Sequence, residues 1–249
     1  PRAGRQALRS GGFCKSLNMF LKGKFSALLF GAALALCAAS VQAAEMLPEG
    51  NTEVGNAPIS DYTIFRATAN GTGDGSSWAS PMSWNSALAA AAADAGNCEI
   101  WLQGDVVVSA APVSITFNGR TIVRGGFAGT ESSADERSGA HSVFSANDAY
   151  DILIPNVAGG ASLEFDRVDF TKAKLRAVVK SGGGEISFTN CAFLANGNTI
   201  GHNSNNADGN GFKAGGGGST AKFFNCRFEG NGPRSSTQQA PGGCAIRAD

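Results

Sequence analysis

Three segments of the chain carry the same pattern of apolar and polar residues, and this repeat constrains the fold more than any other feature. Leu163–Phe170 aligns with Ile186–Phe193 and with Ala221–Phe228. The same four columns are apolar in every copy, and the second and third copies share an asparagine. Equivalent residues lie 23 positions apart between the first two copies and 35 apart between the last two. The pattern predicts one structural unit used three times.

A period of 23 residues with short β segments and no helix is typical of one coil of a parallel β-solenoid. The 12 additional residues of the longer interval fall in a polar, Gly-rich stretch, 197–218, which predicts a loop pushed out of one coil. Strands of successive coils pair at about 4.8 Å, so equivalent residues stack on one another. The alternative is an antiparallel sandwich with three similar strands. The sequence favours the solenoid.

The predicted stack consists of inward phenylalanine and cysteine residues and of asparagines at the corners. A corner amide can donate to one neighbouring coil and accept from the next, which satisfies buried backbone groups. The residues of the stack are Phe165, Phe170, Phe188, Asn190, Cys191, Phe193, Asn196, Phe223, Asn225, Cys226, Phe228 and Asn231.

A short amphipathic helix precedes the strand-rich region. Ser80 is the predicted N-cap, Pro81 the first helical residue and Gly96 the C-terminal stop. Trp84 and Leu88 share one face at helical spacing with an alanine of the run that ends at Ala93. Because so short a helix is marginal alone, this face is expected to pack on the strands.

The N-terminal region reads as a secretory signal peptide. Residues 1–18 are interpreted as an artefact of start-site choice, upstream of the true first residue, Met19. Met19 begins a segment with two lysines and a 15-residue apolar run, 25–39. Small residues at Val41 and Ala43 predict cleavage before Ala44. The run is shorter than the roughly 20 residues of a membrane anchor, and the residue before Cys37 does not suit a lipoprotein signal.

Composition and charge exclude several classes of protein. Charged residues make up 16% of the chain and Gly occurs 34 times without a three-residue period, which excludes a coiled coil and collagen. Residues 1–43 hold six basic residues and no acid, so the predicted mature chain has 14 bases against 20 acids. A chain of net charge −6 has no electrostatic reason to bind nucleic acid or anionic lipid. Glycans, proteins or ions are the expected partners.

Several motifs resemble those of a known group of proteins. Residues 71–249 resemble the N-terminal part of bacterial surface proteins with right-handed parallel β-helix passengers, of the polymorphic outer-membrane and autotransporter type. Gly73–Trp78 and the following helix resemble their opening segment, and Arg124–Glu131 resembles their GGFAGTE turn. Phe193–Asn196 and Phe228–Asn231 match an FxxN element, and Gly242–Ile246 is similar to a GGAI element with an inserted cysteine.

This resemblance implies an all-β, right-handed, single-stranded parallel β-helix with a short N-terminal capping helix. The implied protein is exported to the cell surface, the outer membrane or the medium, where it serves adhesion or display without enzymatic activity. The expected organisation after the signal peptide is a flexible segment over 44–68, an opening segment with the capping helix over 69–97, and coils over 98–249. We expect the sequence to be an N-terminal fragment whose parent continues for more coils.

Parallel β-helices also include polysaccharide lyases and glycoside hydrolases, so an enzyme is the alternative. Asp166, Asp169 and Lys172 are the candidate catalytic residues, because a lyase needs carboxylates for Ca²⁺ and a basic residue near the sugar. The carboxylates of Asp166 and Asp169 are expected to point outward and to be solvated. The equivalent columns of the later repeats hold no carboxylate, which favours solvated charges on the outer face over a catalytic site.

The Gly-rich loop and the cysteines carry the remaining hypotheses. The loop is a candidate contact surface and could hold Ca²⁺, although it lacks EF-hand spacing; no other cofactor is expected. Cys191 and Cys226 either form a disulfide between coils or act as small inward residues, and the state of Cys244 is open. The candidate contact residues of the loop are His202, Asn203, Asn205, Asn206 and Asp208.

Overall fold

The computed structural model describes residues 62–197, 211–215, 218–232 and 245–248. This part of the chain is mostly β-strand, its sheets are parallel, and it contains one α-helix. The predicted β class, parallel pairing and helix are therefore confirmed. The predicted signal peptide, the contact-loop residues His202–Asp208 and Cys244 lie outside the described residues.

The described residues form one α-helix, one short 3₁₀ segment (Ala134–Glu136) and a series of short strands. The helix, α1, covers Trp84–Ala93. The strands are β1 (Thr63–Thr68), β2 (Met82–Ser83), β3 (Asn97–Gln103), β4 (Val106–Val107), β5 (Ile115–Phe117), β6 (Arg120–Phe127), β7 (Ser142–Ser145), β8 (Pro155–Val157), β9 (Ser162–Asp166), β10 (Val168–Thr171), β11 (Val178–Lys180), β12 (Glu185–Thr189), β13 (Ala192–Leu194), β14 (Phe212–Ala214), β15 (Thr220–Phe224), β16 (Arg227–Glu229) and β17 (Ile246–Ala248).

The strands form four sheets whose neighbours run in parallel. Sheet 1 has the order β15-β12-β9-β6-β3-β1-β2, and sheet 2 has the order β16-β13-β10-β7-β4. Sheet 3 is β11-β14-β17, and sheet 4 pairs β5 with β8. From β9 onward the chain enters sheets 1, 2 and 3 in that order three times. We call these passages repeat 1 (β9–β11), repeat 2 (β12–β14) and repeat 3 (β15–β17).

The register of sheets 1 and 2 places equivalent phenylalanines opposite one another. In sheet 1, Phe188 pairs with Phe165 on one side and with Phe223 on the other. Their rings are stacked, with centroids 5.3 and 5.2 Å apart. In sheet 2, Phe170, Phe193 and Phe228 pair in the same way, at centroid distances of 5.1 and 4.7 Å.

The core lies on the inner sides of these sheets. The two phenylalanine stacks meet edge to face, as in the contact of Phe188 with Phe193 at 5.2 Å. Such T-shaped contacts suit the charge distribution of aromatic rings. Val178 and Phe212 of sheet 3 close the same cluster of buried side chains.

Helix α1 covers one end of the core and begins later than the sequence indicates. Its N-cap is Ser83, whose hydroxyl accepts from the Ser86 N–H at 3.1 Å, and its C-cap is Asp94. The predicted cap, Ser80, instead accepts from a backbone N–H of the preceding loop. The helix starts later because Met82 and Ser83 pair with β1 as strand β2. Trp84, Ala87, Leu88 and Ala91 are buried, as the amphipathic pattern predicts.

Part of the segment predicted to be flexible belongs to a sheet. Strand β1 lies within the predicted flexible range, 44–68, but it pairs with β3 along Thr63–Ala67. Its alternating pattern is short, which explains why the sequence alone did not identify it. Across the described ranges, we find no helix with the length and apolar character needed to span a membrane.

Candidate functional site

The turn between sheets 1 and 2 has the same conformation in all three repeats. Arg167, Asn190 and Asn225 each occupy it, with φ of 55°, 54° and 49°. Asparagine is among the few side chains that adopt this left-handed region readily. The shared asparagine of the sequence repeat therefore marks a corner, and Arg167 holds that position in repeat 1.

The corner amides form a ladder across the repeats. The Asn225 Nδ2 donates to Asn190 Oδ1 at 2.7 Å, and the Asn190 Nδ2 donates to Asp166 Oδ1 at 3.3 Å. Each Nδ2 has a second hydrogen that these bonds do not use. The ladder fixes the spacing of the corners and leaves polar groups at its outer side.

A groove of about 530 Å³ runs over this ladder. The corner residues form one part of its lining, and residues that begin the sheet 2 strands form another. Asp169, Ala192 and Arg227 occupy equivalent positions of adjacent strands, so the groove crosses all three repeats. The described lining residues are Gly139, His141, Arg167, Asp169, Asn190, Cys191, Ala192, Leu194, Asn225 and Arg227.

One ionisable pair lies in the groove. The Asp169 Oδ1 is 2.9 Å from the His141 Nδ1 and accepts from the Ala192 N–H at the same distance. The carboxylate is partly buried, and the imidazole is more exposed. Asp169 is thus the one of the three candidate catalytic residues that lines the groove. The same carboxylate holds the His141 ring in place.

Asp166 does not belong to the groove, and the expectation that it is solvated is wrong. Its side chain is only 8% exposed and contacts Arg137 at 2.8 Å and Arg124 at 3.7 Å. Arg124 also bonds Glu99 at 3.0 Å, and this carboxylate accepts from the Trp101 indole at 2.7 Å. The outer side of sheet 1 is therefore covered by a buried ion-pair network, in which Asp166 has a structural role.

Lys172 also lies apart from Asp169. It follows the end of β10 with φ of 54°, is exposed, and does not line the groove. Its backbone N–H donates to the Leu194 carbonyl. The three candidate catalytic residues consequently do not converge, because the strand carries Asp169 and Lys172 to opposite ends of β10.

A second amide ladder stabilises the far end of sheet 2. The Asn196 amide is fully buried, donates to the Phe170 carbonyl at 3.0 Å and accepts from the Ala173 N–H at 3.0 Å. It also donates to Asn231 Oδ1 at 2.9 Å, and Asn231 donates to the Phe193 carbonyl at 2.7 Å. The asparagines of the FxxN element thus tie neighbouring repeats together.

The two cysteines of the repeat are free thiols in contact with each other. Burial raises the pKa of Cys191 well above its ordinary value. A hydrogen bond from Cys191 lowers the pKa of Cys226 to about 7. The sequence left open either a disulfide between the coils or small inward side chains, and the structure has the inward, reduced side chains.

The GGFAGTE turn folds around its own glutamate. The Glu131 carboxylate accepts from the N–H groups of Ala128, Gly129 and Thr130 at 2.6 to 2.9 Å. Burial opposes its ionisation, but these hydrogen bonds outweigh burial, and the pKa of Glu131 is lowered. The Trp78 indole donates to the Glu131 carbonyl at 3.0 Å, which joins two motifs of the sequence resemblance.

Metal-binding side chains are not gathered in the part of the chain that the structure describes. No three of its His, Cys, Asp and Glu side chains lie close enough together to hold an ion. The candidate Ca²⁺ loop lies outside that part.

Sequence reasoning did not bring three residues of the groove together: His141, Arg167 and Arg227. The two arginines carried a usable signal, because the alignment puts Arg167 in the asparagine column and Arg227 in the column of Asp169. His141 precedes β7, outside the aligned repeat, and gave no such signal.

Comparisons with known proteins add no relative from which a function could be inferred. The chain matches no protein-family model, no curated protein and no solved structure.

Proposed function

We propose that this chain is part of an exported bacterial surface protein, a right-handed parallel β-helix that serves adhesion or display without catalysis. The observation that carries the proposal is the parallel, in-register pairing of three repeats, which the chain enters in one fixed sheet order. Stacked repeats of this kind suit extended binding surfaces. The groove over the corner ladder is the surface that we assign to binding.

The export part of the proposal rests on the sequence. Residues 19–43 have the charged, apolar and small-residue regions of a signal peptide. Expression of the full chain in a bacterium with a general secretion pathway should yield a protein outside the cytoplasm that begins at Ala44. A chain that stays in the cytoplasm with residues 19–43 intact would contradict export.

The binding part is tested on the same full chain with glycan arrays and with whole cells. We expect retention on at least one glycan or cell surface. In parallel, pectin, alginate and glycosaminoglycans are incubated with the protein, and unsaturated products are followed. We expect binding without turnover, and sustained turnover would refute a non-enzymatic role.

One observation favours a second candidate function, a polysaccharide lyase. His141 is oriented by Asp169 in a groove that also contains Arg167 and Arg227. A histidine held by a carboxylate can act as a general base, and arginines can neutralise the acidic group of a uronate. A glycoside hydrolase is less consistent with this lining, because Asp169 is its only carboxylate among the described residues and paired carboxylates are required.

A further inference from the structure

The groove presents polar groups at regular intervals. Arg167, Asn190 and Asn225 occupy equivalent corners of three successive repeats, and neighbouring strands lie about 4.8 Å apart. A ligand along the groove therefore meets a donor side chain at each step of roughly that length. A linear polysaccharide, which repeats its own polar groups at regular intervals, fits such a series better than a single small molecule.

The charges of the groove select among polysaccharides. Arg167 and Arg227 contribute two guanidinium groups to the lining. The single carboxylate, on Asp169, already accepts hydrogen bonds from His141 and from the Ala192 N–H. The described lining therefore carries two guanidinium groups against one carboxylate, and planar guanidinium groups match carboxylates in bidentate pairs.

Both arginines have donors available to a ligand. Arg167 uses its Nη1 for the Arg137 carbonyl at 3.2 Å, which orients the rest of its planar group. Arg227 pairs with Glu229 on the same strand, and its side chain is 66% exposed. An exposed ion pair of this kind contributes little to folding and can be exchanged for a ligand carboxylate.

An exposed aromatic side chain is the chain neighbour of a residue that lines the groove. Phe224 directly precedes the corner residue Asn225, and 50% of its surface is exposed. It occupies the outer column of sheet 1 that holds Asp166 and Thr189 in the other repeats. An exposed ring next to polar side chains offers an apolar face to the C–H groups of a sugar ring.

We infer that the groove binds a linear polysaccharide of uronic acids, with its carboxylates on Arg167 and Arg227 and a sugar ring against Phe224. This inference rests on the proposed function and names the ligand class of its binding surface. The ligand runs across the three repeats, and the amides of Asn190 and Asn225 donate to its hydroxyl groups.

The test compares two polymers that have the same sugar backbone, one with free carboxylates and one with uncharged methyl esters. Binding of the full chain to polygalacturonate and to fully methyl-esterified polygalacturonate is measured by titration calorimetry at low and at moderate salt. Arg227→Gln removes one guanidinium of the groove. Lys222→Gln is the matched control, because Lys222 is also an exposed cation in an ion pair, with Glu185, and does not line the groove.

We expect binding to the acid polymer and at least about tenfold weaker binding to the ester. Arg227→Gln should weaken binding to the acid polymer by about tenfold or more and reduce its salt dependence, while Lys222→Gln changes it less than about twofold. Circular dichroism of both variants verifies the fold.

Equal binding of the two polymers, no effect of Arg227→Gln, or no binding to either polymer would overturn the inference. These results leave the proposed function intact, because a neutral glycan or a protein could still be the partner. Release of unsaturated products from polygalacturonate has the opposite meaning, since it would refute the non-enzymatic function while retaining the ligand class.

Discussion

Replacement of Phe193 by alanine perturbs the centre of the stacked core. The Phe193 ring is fully buried and lies between the parallel rings of Phe170, at 5.1 Å, and Phe228, at 4.7 Å. Its edge contacts Phe188 of the other stack at 5.2 Å. Truncation to alanine removes all three contacts and leaves a space that neighbouring strands cannot close without losing their register.

The expected cost follows from this environment. Removing a fully buried phenylalanine loses about 1.5–3 kcal/mol of transfer free energy. The cavity and the lost ring contacts raise the total to about 3–5 kcal/mol. Phe224, in the same repeat pattern, is half exposed, so Phe224→Ala should cost about 1 kcal/mol or less.

Urea unfolding of the two variants measures this difference. Tryptophan fluorescence and far-ultraviolet circular dichroism are recorded together, and coincident curves justify a two-state free energy of unfolding. We expect Phe193→Ala to be the less stable variant by at least about 2 kcal/mol. Equal midpoints for the two variants would refute the assignment of inward and outward columns.

Three further variants test the polar parts of the structure by the same unfolding measurement. Asp166→Asn leaves the largely buried Arg137 without its carboxylate partner and should cost about 3–5 kcal/mol, whereas Glu229→Gln, in an exposed ion pair, should cost less than about 1 kcal/mol. Asn196→Ala should cost about 2–4 kcal/mol, because it leaves two buried backbone groups unpaired; a cost below about 1 would contradict the ladder. Burial lowers the pKa of Lys180, so the unfolded chain binds its proton more tightly. The contribution of Lys180 to the free energy of unfolding should therefore become more favourable as the pH increases toward the ordinary lysine pKa of 10.5. Over this range Lys180→Met should gain less stability than the unaltered chain, whereas Lys222→Met should follow it.

The register of the repeats could be read from the sequence because parallel stacking superimposes equivalent residues. The alignment put Phe165, Phe188 and Phe223 in one column, and the sheet pairs them in that order. Similar side chains pack well on one another, so the sequence conserves the column from repeat to repeat. The 12 additional residues between the second and third copies lengthen the period without shifting the columns.

The environment of outward residues could not be read in this way. Alternation marks Asp166 as outward, and outward positions are usually solvated. The segment that follows β6 carries Arg137 to within 2.8 Å of Asp166, although the two residues are 29 positions apart. Contacts of this kind depend on how a non-repeating segment folds back, for which the repeat offers no guide.

The predicted start of the helix was wrong for a related reason. Ser80 and Ser83 are both acceptable N-caps by residue type. Pairing of Met82 and Ser83 with β1 decides between them, and this is a tertiary effect. The groove was partly accessible to sequence reasoning, since Arg167 and Arg227 lie in aligned columns.

The central claim is that the repeats stack in parallel and in register, and paired spin labels test it most directly. After replacement of the native cysteines by serine, labels are attached to cysteines at residues 185 and 220, and in a second variant at 189 and 224. These pairs face each other across β12 and β15. Two crossed pairs, 185 with 224 and 189 with 220, are the controls.

Parallel stacking predicts strong dipolar broadening for both facing pairs, whose backbones lie about 5 Å apart. The crossed pairs are displaced by four residues, or roughly 13 Å along the strand, and should show weak broadening. Strong broadening in the crossed pairs and weak broadening in the facing pairs would mean antiparallel strands, and it would contradict the stacked repeat on which the proposed fold and groove depend.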